Sequence, residues 1–502
     1  MVSLSSMVLS ALWLVGATAA ATSSPTSAVQ TPTPPTPCPP RQRRSWYALS
    51  PQDKDMFFSA LELAMDRGTY QKFVLIHTEM MNFREAHGTC AFLFWHRVFL
   101  LGFENMLRDL GPRFRCLTLP YWDYVQDYSA MKTLQNCSTL ETCSSIITEW
   151  GGSTTGKKTT KSIFGYDYTA LKCVTARPLN HLCEVAGASD ADCDHCVPRG
   201  DWWQLDMPFE ISFESIKGQV FSSTNIRNMS AELESSPHNF LHAVLTGPMV
   251  DPGVSPIEPF FFLLHTSIDM LHTVFYHCKV EPLNLTDGQK KTHPSAFQGC
   301  TNDNEQTIGP LSSVMMHIDG DPVIDVVNDP LVGKYFRGLP TKYYKLPDSR
   351  NLGNVSYSYE YRGLLGTLYG KCEGAPVPDT TLPPADERLT IDHVVVPVEK
   401  QENLHTLAFE DEVMDVASTQ GLTRDQVQHE IRKMGLLYHE HCLPGKSQDY
   451  SDEFKRKWHV QGKPKSLELL EAIASGADPM LIPSWAELNF KYFGCRGDED
   501  GE

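Results

Sequence analysis

Two histidines four residues apart, His238 and His242 in Pro237-His-Asn-Phe-Leu-His, share one face of a helix, so their imidazoles can reach one metal ion. A third comes from His265 in Glu258-Pro-Phe-Phe-Phe-Leu-Leu-His-Thr-Ser-Ile-Asp269, with Asp269 one turn on and placed to orient a ligand's ring N–H. A His-x3-His pair by itself is more often structural. A second triad changes that reading: His87 and His96 flank an apolar run, Gly-Thr-Cys-Ala-Phe-Leu-Phe-Trp, and His77 lies on the preceding helical stretch. On one straight helix His87 and His96 would be half a turn out of phase, so His87 is predicted in a loop eased by Gly88 and His96 within the next helix. Imidazole-only ligation suits copper, zinc or nickel, not magnesium or calcium. A facing pair would serve dioxygen chemistry if copper and hydrolysis if zinc.

The elements that must position these residues are mostly helical. Ser50-Pro51 reads as a helix start, with Met56, Phe57, Ala60, Leu61 and Ala64 on a helical period. Further helices are predicted over Tyr70 to Phe83, Leu93 to Leu110, Pro237 to Leu245 and Pro259 to His277. Strand-like segments are few and short until Val394–Val396. Gln126 to Met229 holds six cysteines and little periodicity, which predicts an irregular, disulfide-braced excursion. The Pro-rich run from Ala375 marks a boundary. Beyond it, residues 375–502 form a C-terminal region with helices predicted over Thr423 to Leu437 and Ser466 to Ala474.

The 502 residues, 41% of them hydrophobic, are enough to bury a large core. A formal net charge of -18 argues against nucleic acid or an anionic membrane surface as partner. Residues 1–21 read as a signal peptide, an apolar stretch followed by small residues, and 22–40 as a Ser/Thr/Pro-rich linker. No later run reaches the roughly 18 apolar residues of a spanning helix, so a secreted protein without a transmembrane segment is expected. The fourteen cysteines suit disulfides in an exported chain, and sequons at Asn136, Asn228, Asn284 and Asn354 are compatible with a glycoprotein.

The segment His87-x4-Phe92-Leu93-x-Trp95-His96-Arg97-x2-Leu100-x3-Glu104 resembles the first copper signature of the tyrosinase family at every specified position. Glu258-Pro259-Phe260 through His265-x3-Asp269 resembles the second, with Glu258 in place of the usual Asp. Leu119-Pro-Tyr-Trp-Asp-Tyr124 and Arg43-Arg-Ser-Trp-Tyr-Ala-Leu-Ser50 are similar to flanking family segments, and Tyr357-Ser-Tyr359-Glu-Tyr361 to the Tyr-x-Tyr landmark that ends the catalytic core. The resemblance covers about residues 41–370 and places a copper domain at 41–374. It implies a mainly α fold: a four-helix-bundle core holding a dinuclear copper site, long disulfide-braced loops and a C-terminal accessory region able to cover the site. The ligands would be His77, His87 and His96 on one ion and His238, His242 and His265 on the other. Dioxygen and a small phenol would be the reactants, with monophenols hydroxylated and o-diphenols oxidised to o-quinones, as in melanin formation.

The same family contains catechol oxidases, which lack the monophenol step, and hemocyanin-like oxygen carriers. Asn239 matches the position where family tyrosinases use Asn with a nearby Glu to hold a water that deprotonates a monophenol, and Glu234 is the candidate Glu. Read without the family, Glu234 is an acid favoured by a helix N-terminus. Glu85 stands where many members carry a cysteine linked to a ligand histidine, so that bridge is not expected, and Cys90 is left as a disulfide partner, a buried thiol or an unusual link to the site. Leu264 replaces a histidine that many tyrosinases place before the last ligand. Phe261 and Phe262 are candidate pocket walls. His272 is displaced about 10 Å along the helix from His265 and is not expected to share its metal.

Overall fold

The computed structural model describes residues 37–134, 136–184, 193–302, 304–372 and 393–496. The expected signal peptide, most of the expected 22–40 linker and the Pro-rich boundary lie outside these residues. Met1–Cys38 forms one unit and Pro39–Glu502 another, and the second carries every element below.

After a short strand β1 (Arg41–Arg43) comes α1 (Pro51–Asp66), capped as predicted by the Ser50 side chain on the Asp53 N–H. The helix expected over Tyr70 to Phe83 is two helices, α2 (Thr69–Thr78) and α3 (Met80–Ala86). They part at Glu79, whose extended backbone ends the first and whose carboxylate accepts the Met81 and Asn82 N–H groups of the second. An N-cap acid inside an otherwise helical pattern is the local signal for the break. Next comes α4 (Phe92–Asp109), buried on nearly all sides.

The second ligand helix is longer than predicted. It starts as α5 (Ile226–Leu233), widens into a π-helical turn at Glu234–His238 and continues as α6 (Asn239–Leu245). Pro237 sits in the wide turn, where the missing proline N–H removes a bond that a regular α turn would need. Finally α7 (Phe260–Phe275) is buried along its whole length. Helices α2, α4, α6 and α7 are the four that carry ligands. No helix among the described residues is long and apolar enough to cross a membrane.

The excursion is more regular than predicted. Strands β2 (Lys157–Ile163) and β3 (Tyr166–Val174) form an antiparallel hairpin with β4 (Val197–Arg199) beside it. Its turn, Phe164-Gly165, has positive φ at both residues, as tight hairpin turns require. β2 is mainly Lys and Thr, and largely unburied, so hydrophobic alternation could not announce it. Three disulfides brace the region as expected: Cys137–Cys143, Cys173–Cys196 and Cys183–Cys193. A second sheet sets β1 parallel to β5 (Tyr357–Arg362), which also pairs in parallel with β6 (Val394–Val396).

The C-terminal helices share the main core. From α8 (Gln401–Thr419) and α9 (Arg424–Cys442), Phe409, Val413, Ile431 and Met434 are buried in it. Lys217 and Glu410 make a buried ion pair across this contact. One short helix stands apart: α10 (Asp452–Trp458) packs Phe454 and Trp458 with Tyr450 and Phe240 in a small apolar cluster of its own.

Candidate metal centre

Each predicted ligand is brought to one place. His77 lies in the last turn of α2. His87 follows α3 with extended backbone, and Gly88 after it has φ +68°, so the loop placement of His87 and the easing role of Gly88 hold. A disulfide, Cys90–Cys300, pins that loop. His96 projects from α4, His238 and His242 from the π turn and α6, and His265 from α7.

The nitrogens within each triad, His77–His87–His96 and His238–His242–His265, lie within 4.8 Å of one another. The triads face each other, with His96 stacked on His265 at 4.3 Å between ring centres and His87 on His238 at 6.1 Å. All six residues are buried. Burial pulls every one below its ordinary pKa, reinforced by neighbouring imidazoles at all but His77; His77 falls to about 4 and His238 to about 3. The rings are therefore neutral at neutral pH, as a metal ligand must be.

Local acceptors aim four of the rings. Nδ1 of His96 meets the Phe92 carbonyl at 2.9 Å, that of His242 the Met249 carbonyl at 2.7 Å, and that of His238 the Asn239 Oδ1 at 2.9 Å; His87 Nδ1 lies 3.4 Å from the Phe83 carbonyl. Donation there leaves Nε2 unprotonated. The buried Nε2 atoms of His77, His87, His96 and His238 have no hydrogen-bond partner among the described residues, while those of His242 and His265 point at each other across 3.4 Å. Buried nitrogens left this way are costly unless something coordinates them. Two soft-to-borderline metal ions, one per triad, fit this donor set.

Residues 67–277 match the family model for the common central domain of tyrosinase. This stretch is a tyrosinase-family domain. Among curated relatives, the chain is 29% identical over 200 residues to the tyrosinase HcTyr1 of Hahella sp. (strain CCB-MM4), covering 38% of this chain and 37% of that one. It is 26% identical over 232 residues to the tyrosinase of Oryzias latipes, covering 41% and 42%. It is 26% identical over 238 residues to that of Streptomyces lincolnensis, covering 46% and 80%. The matches thus span well under two thirds of the first two relatives. Among solved structures, a functional unit of octopus hemocyanin aligns with 15% identity and a TM-score of 0.38 over 64% of this chain and 68% of that one. A polyphenol oxidase variant from Thermothelomyces thermophila aligns with 16% identity and a TM-score of 0.40 over 64% and 88%. The tyrosinase family implies a dinuclear copper site, and the two triads are its counterpart here.

The other residues of the tyrosinase signatures hold the ligand helices in place. Asp269 does not orient His265, whose Nδ1 has no hydrogen-bond partner among the described residues. It binds Arg97 Nε at 2.7 Å and Arg43 Nη1 at 3.1 Å, and accepts the Tyr357 and Tyr359 hydroxyls at 2.6 Å each. Burial opposes its ionisation, but the two guanidiniums outweigh that and hold it at about 2. One turn along the helix from His265, its side chain points to these partners and not back to the ring. Glu104 likewise pairs with Arg41 and Arg43. Glu258, the departure from the second signature, accepts both Arg199 Nε and Nη2 at 2.7 Å, a bidentate pair that ties the excursion to the start of α7.

Glu234 is buried within a continuous helical run and not at a helix N-terminus, so the dipole reading of it does not apply. Its Oε1 accepts the Gly88 N–H at 2.7 Å, and burial raises its carboxyl to about 8 against that bond. Phe261 packs on the His265, His77 and His242 rings, at 4.0, 5.0 and 6.0 Å. Phe262 instead stacks on Phe103 and Phe99 in the core, because adjacent helix positions differ by about 100°. His272 is buried against Phe94, away from the triads. His439 is bonded to the Tyr128 hydroxyl, and the cysteines around His195 are in disulfides.

Trp458 was missed. Its ring centre lies 4.5 Å from that of His242 and 5.5 Å from those of His87 and His238, so it touches ligands of both triads. The sequence carried one signal, an aromatic stripe at Tyr450, Phe454 and Trp458 with four-residue spacing, far from either copper signature.

Proposed function

We propose that the chain is a secreted copper-dependent phenol oxidase, hydroxylating monophenols and oxidising o-diphenols to o-quinones with dioxygen, as in melanin formation. The observation that carries this reading is the pair of buried, facing three-histidine clusters inside a matched tyrosinase central domain. His77, His87 and His96 would hold one copper ion and His238, His242 and His265 the other; bound copper supplies the one-electron couples through which a phenol reduces dioxygen.

The chain's own groups do the rest. Phe261 seals the ligand rings from water on one side. Asn239 fixes the orientation of His238. Glu234, whose carboxyl burial raises to about 8, is the acceptor for a monophenol's hydroxyl proton in its ionised form. Trp458 lies against the ligands and is read as a cover, supplied by the 375–502 region, that must move before a phenol enters.

Leu264, fully buried beside His265 in place of a histidine, favours a second reading, a catechol oxidase without the monophenol step. Copper-reconstituted protein assayed on L-tyrosine and L-DOPA decides between them. Turnover of both supports the proposal, and turnover of L-DOPA alone the second reading. Failure to bind copper as a pair defeats both. Equal activity with α10 in place and with it cleaved away would defeat the cover.

A further inference from the structure

We propose that Trp458 is itself a modification site: its indole, held on the metal ligands, is hydroxylated at a ring carbon by the copper pair and dioxygen. The inference rests on the copper reading above.

The geometry meets the requirements of such a reaction. Trp458 contacts His242, His87 and His238 at once, so the ring touches ligands of both triads. Its seat is fixed. The indole Nε1–H donates to the Val250 carbonyl at 2.9 Å, and Phe454 stacks on it at 5.4 Å and 18°. Lys457 pairs with Asp251 at 3.0 Å. A ring already positioned has no entropy of approach left to lose, and indole is among the most easily oxidised side chains. The residue is only 3% exposed, so an oxidant diffusing in solvent would reach it late.

The step balances. A ring C–H bond and the O–O bond break and a C–O bond forms. One oxygen stays as the hydroxyl, whose proton balances the one lost from the ring carbon, and the other leaves as water with two protons from solvent. Dioxygen takes four electrons, two from the C–H bond and two from the metal pair as cuprous ions become cupric. The new hydroxyl would lie where the ring meets the buried ligand imidazoles, a setting that disfavours an unpaired polar group, so the modification would also loosen the seat.

The test uses the full chain without any phenol. Protein is loaded anaerobically with cuprous ion, copper per chain is measured by plasma emission, dioxygen is admitted, and peptides are analysed by mass spectrometry. The expected result is a gain of one oxygen mass in the peptide carrying Trp458, dependent on both copper and dioxygen, with Trp203, which is 51% exposed, unchanged. Two bound coppers with an unmodified Trp458 would overturn the inference and leave the copper reading standing. Equal oxidation of Trp203 and Trp458 would also overturn it, since that marks a diffusing oxidant. Fewer than two coppers per chain would overturn both.

Discussion

Glu234 accepts the backbone N–H of Gly88 at 2.7 Å, so a carboxyl on the helical run of the second triad holds the loop that presents His87 to the first. The two half-sites are therefore not independent. Glu234→Gln keeps an acceptor for Gly88 but removes the proton-accepting carboxylate. The ratio of L-tyrosine to L-DOPA turnover is expected to fall by about 10²-fold, read from initial rates on the same copper-loaded sample. An unchanged ratio would remove Glu234 from proton transfer.

The Arg199–Glu258 pair is fully buried and bidentate. Glu258→Ala leaves the Arg199 charge without its carboxylate, and breaking a buried pair in this way costs about 3–5 kcal/mol. Chemical denaturation should show that loss. Glu258→Asp restores the residue usual in the signature on a shorter arm and should recover only part of it.

Burial pushes the Glu210 carboxyl from 4.5 to about 7, with the Ser466 hydroxyl donating to it. Between those values the folded chain binds a proton that the unfolded chain releases, so this group erodes stability as pH rises from 4.5 through 7. Glu210→Gln removes the dependence. Its melting temperature should exceed that of the parent at pH 8, by an amount corresponding to roughly 3 kcal/mol, and match it near pH 4.

The Cys90–Cys300 disulfide closes a sequence separation of 210 residues and anchors the loop three positions after His87. Replacing both cysteines with serine should lower stability by about 2–5 kcal/mol and weaken copper at the first triad more than at the second. Metal titration against a chelator separates the two sites. Equal weakening would mean that the disulfide acts on the fold as a whole.

What could be read from the sequence was what local spacing encodes. The HxxxH pair, the apolar α4 and the cap at Ser50 depend on neighbours within a turn or two, and each stands where expected. The break at Glu79 and the π turn at Pro237 were also local, but a helical period runs across both and hides them. Asp269 was misread because its true partners, Arg43, Arg97, Tyr357 and Tyr359, come from three distant segments. The β2–β3 hairpin is held by pairing more than by burial, and polarity alone does not reveal pairing. Trp458 reaches the ligands from nearly two hundred positions beyond His265, a proximity that only folding creates.

The parallel pairing of β1 with β5 also sets an order of events during synthesis. Arg43 is among the first described residues to be made, yet its partners Asp269 and Tyr359 follow 226 and 316 positions later. At roughly 5–20 residues per second, Glu104 reaches that guanidinium within seconds, but Asp269 and Tyr359 follow only after some tens of seconds, so the network that braces Asp269, on the α7 helix bearing His265, is complete only once Tyr357 and Tyr359 have emerged. Metal insertion is therefore expected to be an event of the nearly finished chain, and any factor that delivers the ions should act on a polypeptide already extended past Arg362.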